Sequence, residues 1–430
     1  MLATMIVAFF ALIILTVPVG ICLLMASYVP HLVNPSFAMS EMYIFRNLVT
    51  AFNSFTIIAI PLFIFSGVLM CRGQIAKKLY DVFGFFVGKM PGGMVNAVVL
   101  TCLFYGAISG SGPATTAAVG TMTLPMLISM GYDPMFVAAV VAVAGGLGVI
   151  IPPSIPFILY ADAAGGISVG DMFMAGILPG MLVGFMLIAY VTFYYISHKA
   201  DNREKIDAVI TPLHERGFFH VFKDGFWALM CPVIILGGIY GGIFTPTEAA
   251  CVSVVYAFIV SKFIYKTMTW KDLISTAVEA ARTTAPCVVI CGAAAIFGKA
   301  VTLLKVPMLV NQAMGGIADN YILIMVIINV ILLILGCLMD SSAAILIMTP
   351  IFLPLVKAVG ISPVHFGIIM VVNLSIGFVT PPVGMNLYVA ASLTNSPPMP
   401  IVKKAVPLLV VFFIALVLIT YVPQISLMLI

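Results

Sequence analysis

Two long apolar stretches of this chain are each cut by a sequence that no membrane-crossing helix can carry straight through. Residues 92–131 run for 40 residues without a charge and are interrupted midway by Ser109-Gly110-Ser111-Gly112-Pro113. Residues 134–161 are interrupted by Pro152-Pro153-Ser154-Ile155-Pro156. Each proline removes a backbone donor and clashes with the preceding turn, so three in five positions end a helix. The arms of 92–131 are about 17 residues each, marginal for a ~30 Å hydrocarbon core and suited to a re-entrant hairpin. Non-helical backbone at that depth survives only where protein buries it or where it lines a wet cavity.

The rest of the chain requires that hydrocarbon. Hydrophobic residues make up 63% of the 430 and charged residues 8%, against roughly 25% charged in a soluble domain. Spans of the required length are predicted at 2–27, 48–71, 173–197, 226–244, 247–265, 283–304 and 401–425. With the N-terminus in the cytoplasm, Arg72, Lys77, Lys78, Lys89, Lys199, Arg203, Lys205, Arg216, Lys223, Lys262, Lys266, Lys271, Arg282, Lys403 and Lys404 fall inside. That is 15 of the 19 basic residues, the bias expected of cytoplasmic loops. Residues 73–90 carry basic residues beside an apolar face, as an interfacial helix would. The first apolar run has no basic start and no clear cleavage site, so it reads as a retained helix, not a removed signal peptide. A net charge of +4 with no basic stripe gives no nucleic-acid footprint. The eight cysteines include no Cys-x-x-Cys pair and read as packing residues.

The interrupted architecture occurs twice. Residues 111–161 lie on 340–390 at a shift of 229 without a gap. Ten positions are identical, and six of those ten are Gly or Pro, the residues that dictate backbone shape. The predicted organisation is a first half at 1–197, a cytoplasmic connector at 198–224 and a second half at 225–430. The first half holds a hairpin at about 92–131 and a broken helix at about 134–161. The second holds a hairpin at about 320–358 and a broken helix at about 363–395. Three spans precede the second hairpin within its half and two precede the first, so the copies are expected to be inverted. The predicted fold class is an all-α integral membrane protein. Paired broken helices in inverted repeats place a transporter's site near the bilayer midplane.

A broken helix offers unpaired carbonyls at one end and unpaired amides at the other. Carbonyls and hydroxyls suit a hard cation such as sodium, and amides suit a substrate carboxylate. The candidate sodium ligands of the first repeat are Ser109, Ser111, Gly145, Gly148, Ile151 and Pro152. Those of the second are Gly336, Asp340, Ser341, Gly377, Thr380 and Pro381. Candidate substrate contacts are Ser111, Thr115, Ser154, Asp340, Ser342 and Asn386. The bland alternative is that Ser109 and Ser111 are small residues that let helices pack closely. Asp340, a carboxylate within an apolar segment, is a functional suspect: cation ligand, proton carrier, or structural partner of a lysine such as Lys299. Asp162, one turn beyond the first break, is a weaker candidate. Glu248, three residues after Thr245, reads as a helix-capping acid.

No catalytic constellation stands out. Gly292 to Lys299 has the wrong spacing for a phosphate loop, and Ala300 replaces the required Ser or Thr. ATP hydrolysis is therefore not expected in this chain, no cofactor is expected beyond a coupling sodium ion, and the chain is not expected to be an enzyme. A membrane-embedded hydrolase and a passive channel are the competing readings. The outer loops, of which 28–47 is the longest predicted, are too short for a capture domain of ~100 residues.

Four motifs in order, YGAISGSGPATTAAVG at 105–120, GVIIPPS at 148–154, GGIFTPTEAA at 241–250 and GFVTPPVGMN at 377–386, resemble the large membrane subunit of TRAP (tripartite ATP-independent periplasmic) transporters. The resemblance covers essentially the whole chain. It implies an elevator-type fold of the ion-transporter superfamily in the bacterial inner membrane and sodium-coupled uptake of a carboxylate such as a C4-dicarboxylate or sialic acid. It also implies two partners, a small four-helix membrane subunit and a soluble periplasmic substrate-binding protein. No four-helix extension precedes residue 1, so the small subunit is expected as a separate polypeptide. Because Ser, Thr and Asn line the predicted site in place of arginine, sialic acid is the favoured carboxylate. A self-sufficient carboxylate symporter of the same fold is the alternative.

Overall fold

The computed structural model describes residues 1–198, 203–306, 308–309 and 320–430, and these are helical, with no strand among them. Lys199 and residues 199–202 of the expected connector lie outside the described residues. Among the described residues, seven helices are long and apolar enough to cross a bilayer: Val169–His198, Phe218–Tyr240, Pro246–Ile264, Trp270–Leu303, Tyr321–Leu338, Ser341–Ala358 and Pro398–Tyr421. Phe193, Val233, Ile322 and Val410 stand exposed on four of them. Such faces are a liability in water and a match for lipid tails.

Three expected features differ from the structure. The span at 2–27 is two helices, Leu2–Ile14 and Val19–Val33. Between them Thr16 takes a φ of 60° and Pro18 precedes the second helix, so the ladder cannot continue through the junction. The span at 48–71 starts later, at Ala59–Arg72. Residues 48–52 belong instead to the amphipathic helix Glu41–Phe52, capped by the Ser40 hydroxyl accepting from Tyr43 N. That helix, with the continuation to Val33, occupies most of what was expected as the loop 28–47. At the other end of Ala59–Arg72 the chain turns by 66° into Ile75–Val87, whose Lys78 pairs with Asp224 at 3.5 Å.

The interrupted segments form the centre of the molecule. Hairpin arms Gly93–Ser109 and Gly112–Ser129 are followed by Pro134–Gly145, a 3-10 turn at Gly146–Val149 and Ile155–Ala164. Arms Tyr321–Leu338 and Ser341–Ala358 are followed by Pro363–Gly377 and Met385–Leu393. Every residue from Phe136 to Gly145 and from His365 to Gly377 is buried. A helix that is apolar on all sides needs such a place. Gly131 and Gly360, 229 positions apart, both turn the chain out of a hairpin, with φ of 89° and 77°. Only glycine adopts that conformation without a Cβ penalty. Pro152–Pro153 and Pro381–Pro382 are both cis.

Two packing groups surround this centre. The helices Leu2–Ile14, Val19–Val33, Ala59–Arg72, Pro246–Ile259 and Trp270–Leu303 pack on one another as a frame. The hairpins and broken helices pack with Val169–His198 and Pro398–Tyr421 as a block. Thr245 and Glu248 form a reciprocal capping box at a frame helix start, with Thr245 N donating to Glu248 at 2.8 Å. Across the boundary, Phe63 meets Phe173 edge to face at 6.5 Å between ring centroids.

At the second break the block is packed backbone on backbone. A Cβ added at Gly377 would lie 2.3 Å from the Gly336 carbonyl oxygen and 2.4 Å from its carbon. Gly377→Ala is therefore expected to cost about 1–3 kcal/mol, read as a lower melting midpoint of the purified protein. Gly237→Ala, with nothing within 4 Å of the new methyl, is expected to leave the midpoint unchanged.

Candidate functional site

At the first tip the helix Gly93–Ser109 ends on Gly110 in the left-handed conformation, and Ser111 then starts Gly112–Ser129 in an extended one. This reversal leaves a cluster of oxygens. Ser109 Oγ lies 2.7 Å from Thr115 Oγ1, and the Ser109 hydroxyl donates to the Ser111 carbonyl at 3.3 Å. The Thr115 hydroxyl also reaches that carbonyl, at 2.8 Å. The broken helix meets the cluster at Gly148, where a Cβ would stand 2.3 Å from Thr115 Oγ1 and 2.8 Å from the Ser111 carbonyl oxygen. The break itself is tied to the tip by Ile155 N donating to the Gly110 carbonyl at 3.3 Å.

The second tip repeats the plan with different side chains. Asp340 takes the capping position, accepting from Ser342 N at 2.9 Å, where the 229-residue shift sets Ser111 in the first copy. Val383 N in the second break donates to the Cys337 carbonyl at 3.1 Å. The two tips also share a glycine crossing: Gly106 on Gly148 in the first copy and Gly336 on Gly377 in the second. The Thr380 hydroxyl turns back to the Ile376 carbonyl at 3.0 Å.

One side chain joins the copies. Asn386, at the start of the half-helix after the second break, donates to the Ala142 carbonyl of the first broken helix at 3.0 Å. It packs where side chains at Gly112 and Gly145 would intrude, 3.4 Å from its Oδ1 and 3.2 Å from its Nδ2. Its Oδ1 is buried with no protein donor. No group of three or more His, Cys, Asp or Glu able to hold a metal occurs among the described residues. The oxygen clusters are hydroxyls and carbonyls, a donor set for alkali or alkaline-earth cations, not for zinc or iron.

Residues 6–425 match the family described as tripartite ATP-independent periplasmic transporter, DctM component. The chain belongs to the DctM family. It is thus the permease component of an inner-membrane transporter, not an enzyme. The chain is 45% identical over 383 residues to the isethionate TRAP transporter permease protein DctMQ of Oleidesulfovibrio alaskensis, covering 89% of this chain and 59% of that protein. It is 38% identical over 373 residues to the C4-dicarboxylate TRAP transporter large permease protein DctM of Pseudomonas aeruginosa, covering 87% and 86%. In fold it is similar to the YdaH transporter of Alcanivorax borkumensis, with a TM-score of 0.62, 15% identity, and coverage of 93% of this chain and 96% of that one.

In this DctM chain the residues singled out from sequence fall into three sets. Ser109, Ser111, Thr115 and Gly148 converge at the first tip, and Gly145 sits beside Thr116 and Asn386. Gly336 meets Gly377, and Asp340 meets Ser342. Ser154 lies inside the first break, buried, its hydroxyl on the Val149 carbonyl. Of the three roles open to Asp340, the pairing with Lys299 is not found among the described residues; Lys299 donates to Asn47. Gly106, Gly110, Thr116 and Cys337 belong to the tips and were not singled out. Gly106 lies outside the aligned window, and the contributions of Gly110 and Cys337 are backbone carbonyls that no side-chain pattern marks. Asn386→Ala strands the Ala142 carbonyl in a buried place, at an expected cost of about 1–3 kcal/mol, measured as a lower melting midpoint together with slower uptake.

Proposed function

We propose that this DctM chain carries a small organic acid anion across the inner membrane, coupled to sodium, with the two hairpins and broken helices moving as one inverted-repeat block against the frame. The observation that carries the reading is the doubled tip: each hairpin end meets a helix break through a glycine crossing, and at the first tip this draws backbone and hydroxyl oxygens together. In the first copy sodium would be held by Ser109, Ser111, Gly145, Gly148, Ile151 and Pro152, and in the second by Gly336, Asp340, Ser341, Gly377, Thr380 and Pro381. The substrate would lie between the copies, against Ser111, Thr115, Ser154, Asp340, Ser342 and Asn386. The unsatisfied Oδ1 of Asn386 supports a ligand there.

The named relatives favour isethionate, a hydroxylated sulfonate, and C4-dicarboxylates as first substrates to test, with sialic acid as a third arm. The proposed partners are a small membrane subunit and a periplasmic binding protein. The isethionate relative bears a double component name and is covered by this chain over 59% of its length, which supports a second membrane component. The test is uptake by liposomes containing this chain, then with each partner added, across the three anions with and without a sodium gradient. Uptake is expected only with all components and only with sodium. Ser109→Ala, Ser111→Ala, Asp340→Ala and Thr380→Ala should each raise half-saturating sodium roughly tenfold to a hundredfold, the loss of one ligand. An unchanged sodium curve in all four variants would place the ions elsewhere. Full uptake by the lone chain would favour a self-sufficient symporter.

A further inference from the structure

A cavity of about 460 Å³ lies away from the tips, between frame and block. Tyr43 of the amphipathic helix, Asp162 at the end of Ile155–Ala164, Gly298, Lys299 and Thr302 of Trp270–Leu303, and Leu346 of the second hairpin face it. Gly298, with the alanines one turn before it, hollows the frame helix on this side. The cavity meets the hairpin arm at Leu346 and Pro350, roughly 8 and 14 Å along it from its capped start, and no residue of either tip lines it. Lys299 is 29 residues, roughly 43 Å, along its helix from Trp270. That places it at the opposite end of the span from Lys262, Lys266 and Lys271, on the non-cytoplasmic side by the charge bias.

Its two charged groups retain binding capacity. The Lys299 ammonium has three donors, of which one is used on Asn47. Asp162 accepts from the Ser54 hydroxyl at 3.2 Å, and a carboxylate has further lone pairs to offer. One cation and one acceptor in the same cavity define a ligand with an anionic head and a hydroxyl donor. A second carboxylate on the ligand would meet Asp162 and be repelled.

We propose that this cavity is a second substrate site on the non-cytoplasmic side, holding a hydroxylated monoanion with its sulfonate or carboxylate on Lys299 and its hydroxyl donated to Asp162. The site precedes the tips and selects hydroxylated monoanions over dianions. It rests on the reading of the chain as an organic-anion importer, and its test separates the two.

The assay uses the complete complex in liposomes, with the eight cysteines replaced and Thr302→Cys introduced as an exposed reporter in the cavity. The rate of its modification by a small charged thiosulfonate is measured with isethionate, ethanesulfonate or succinate present. Isethionate should slow labelling most, ethanesulfonate less for want of the hydroxyl, and succinate least. Lys299→Gln should raise the half-protecting isethionate concentration about tenfold, the loss of one charge-assisted hydrogen bond, and Lys299→Arg should restore protection. Asp162→Asn should let succinate protect as isethionate does. Equal labelling with and without isethionate, or undiminished protection in Lys299→Gln, overturns the site. Uptake by the same liposomes reads the importer separately. Protection without uptake of any anion retires the importer and keeps the site, whereas uptake with no protection does the reverse.

Discussion

A peptide group in hydrocarbon cannot borrow a hydrogen bond from water, and the whole arrangement depends on that constraint. Leaving one such group unpaired costs several kcal/mol, so a chain that breaks two helices at membrane depth must satisfy the freed groups from its own structure. This chain does so by bringing a hairpin tip to each break. Ile155 N finds the Gly110 carbonyl, and Val383 N finds the Cys337 carbonyl. Glycine makes the approach possible, since a Cβ at Gly148 would collide with the Thr115 hydroxyl and one at Gly377 with the Gly336 backbone. The carbonyls and hydroxyls drawn together at the first tip then form an oxygen-rich cluster inside an apolar block. Breaking the helix and building the site are one event.

How much of this was legible in the sequence depended on whether backbone shape or packing decided the outcome. The hairpin and break positions could be read because Gly and Pro act through φ and the missing donor, effects carried by the residue itself. Gly131, Gly360, Pro152 and Pro381 therefore marked their turns directly. The N-terminal 2–27 run was misread because hydropathy registers how apolar a stretch is and not whether its ladder is continuous. Pro18 was visible there, but a single proline is compatible with a kinked span. The amphipathic helix Glu41–Phe52 was split between the expected loop 28–47 and the expected span 48–71 because Glu41, Arg46 and Asn47 interrupt its apolar run. It becomes meaningful only once Lys299 is seen to donate to Asn47 from another part of the chain. Gly106 was missed for a similar reason: its partner Gly148 is distant in sequence, and close helix crossings leave no local signature.

The two copies share a backbone plan and differ in charge. Position 111 is a serine and its counterpart 340 an aspartate, both at the start of the second arm of their hairpins, where only the aspartate side chain caps. A neutral cluster of hydroxyls and carbonyls and a cluster with a carboxylate differ in their electrostatic attraction for a cation. Equivalent geometry with unequal charge would let two ions bind with different affinities in one block, and Asn386 ties the copies together through the Ala142 carbonyl. On the proposed reading, coupling between ion and anion would need no long pathway, because the same backbone would hold both.

Movement of that block past the frame is the claim on which the transport account stands. Phe63 on the frame and Phe173 on the block stand 6.5 Å apart between ring centroids, so Phe63→Cys with Phe173→Cys in a cysteine-free complex places one thiol on each side of the boundary. The decisive measurement is sodium-driven uptake before and after joining these thiols with a short, reducible bifunctional reagent. The account predicts that joining them arrests uptake, that reduction restores it, and that each single variant treated alike keeps transporting. Full uptake with the two thiols joined would contradict it.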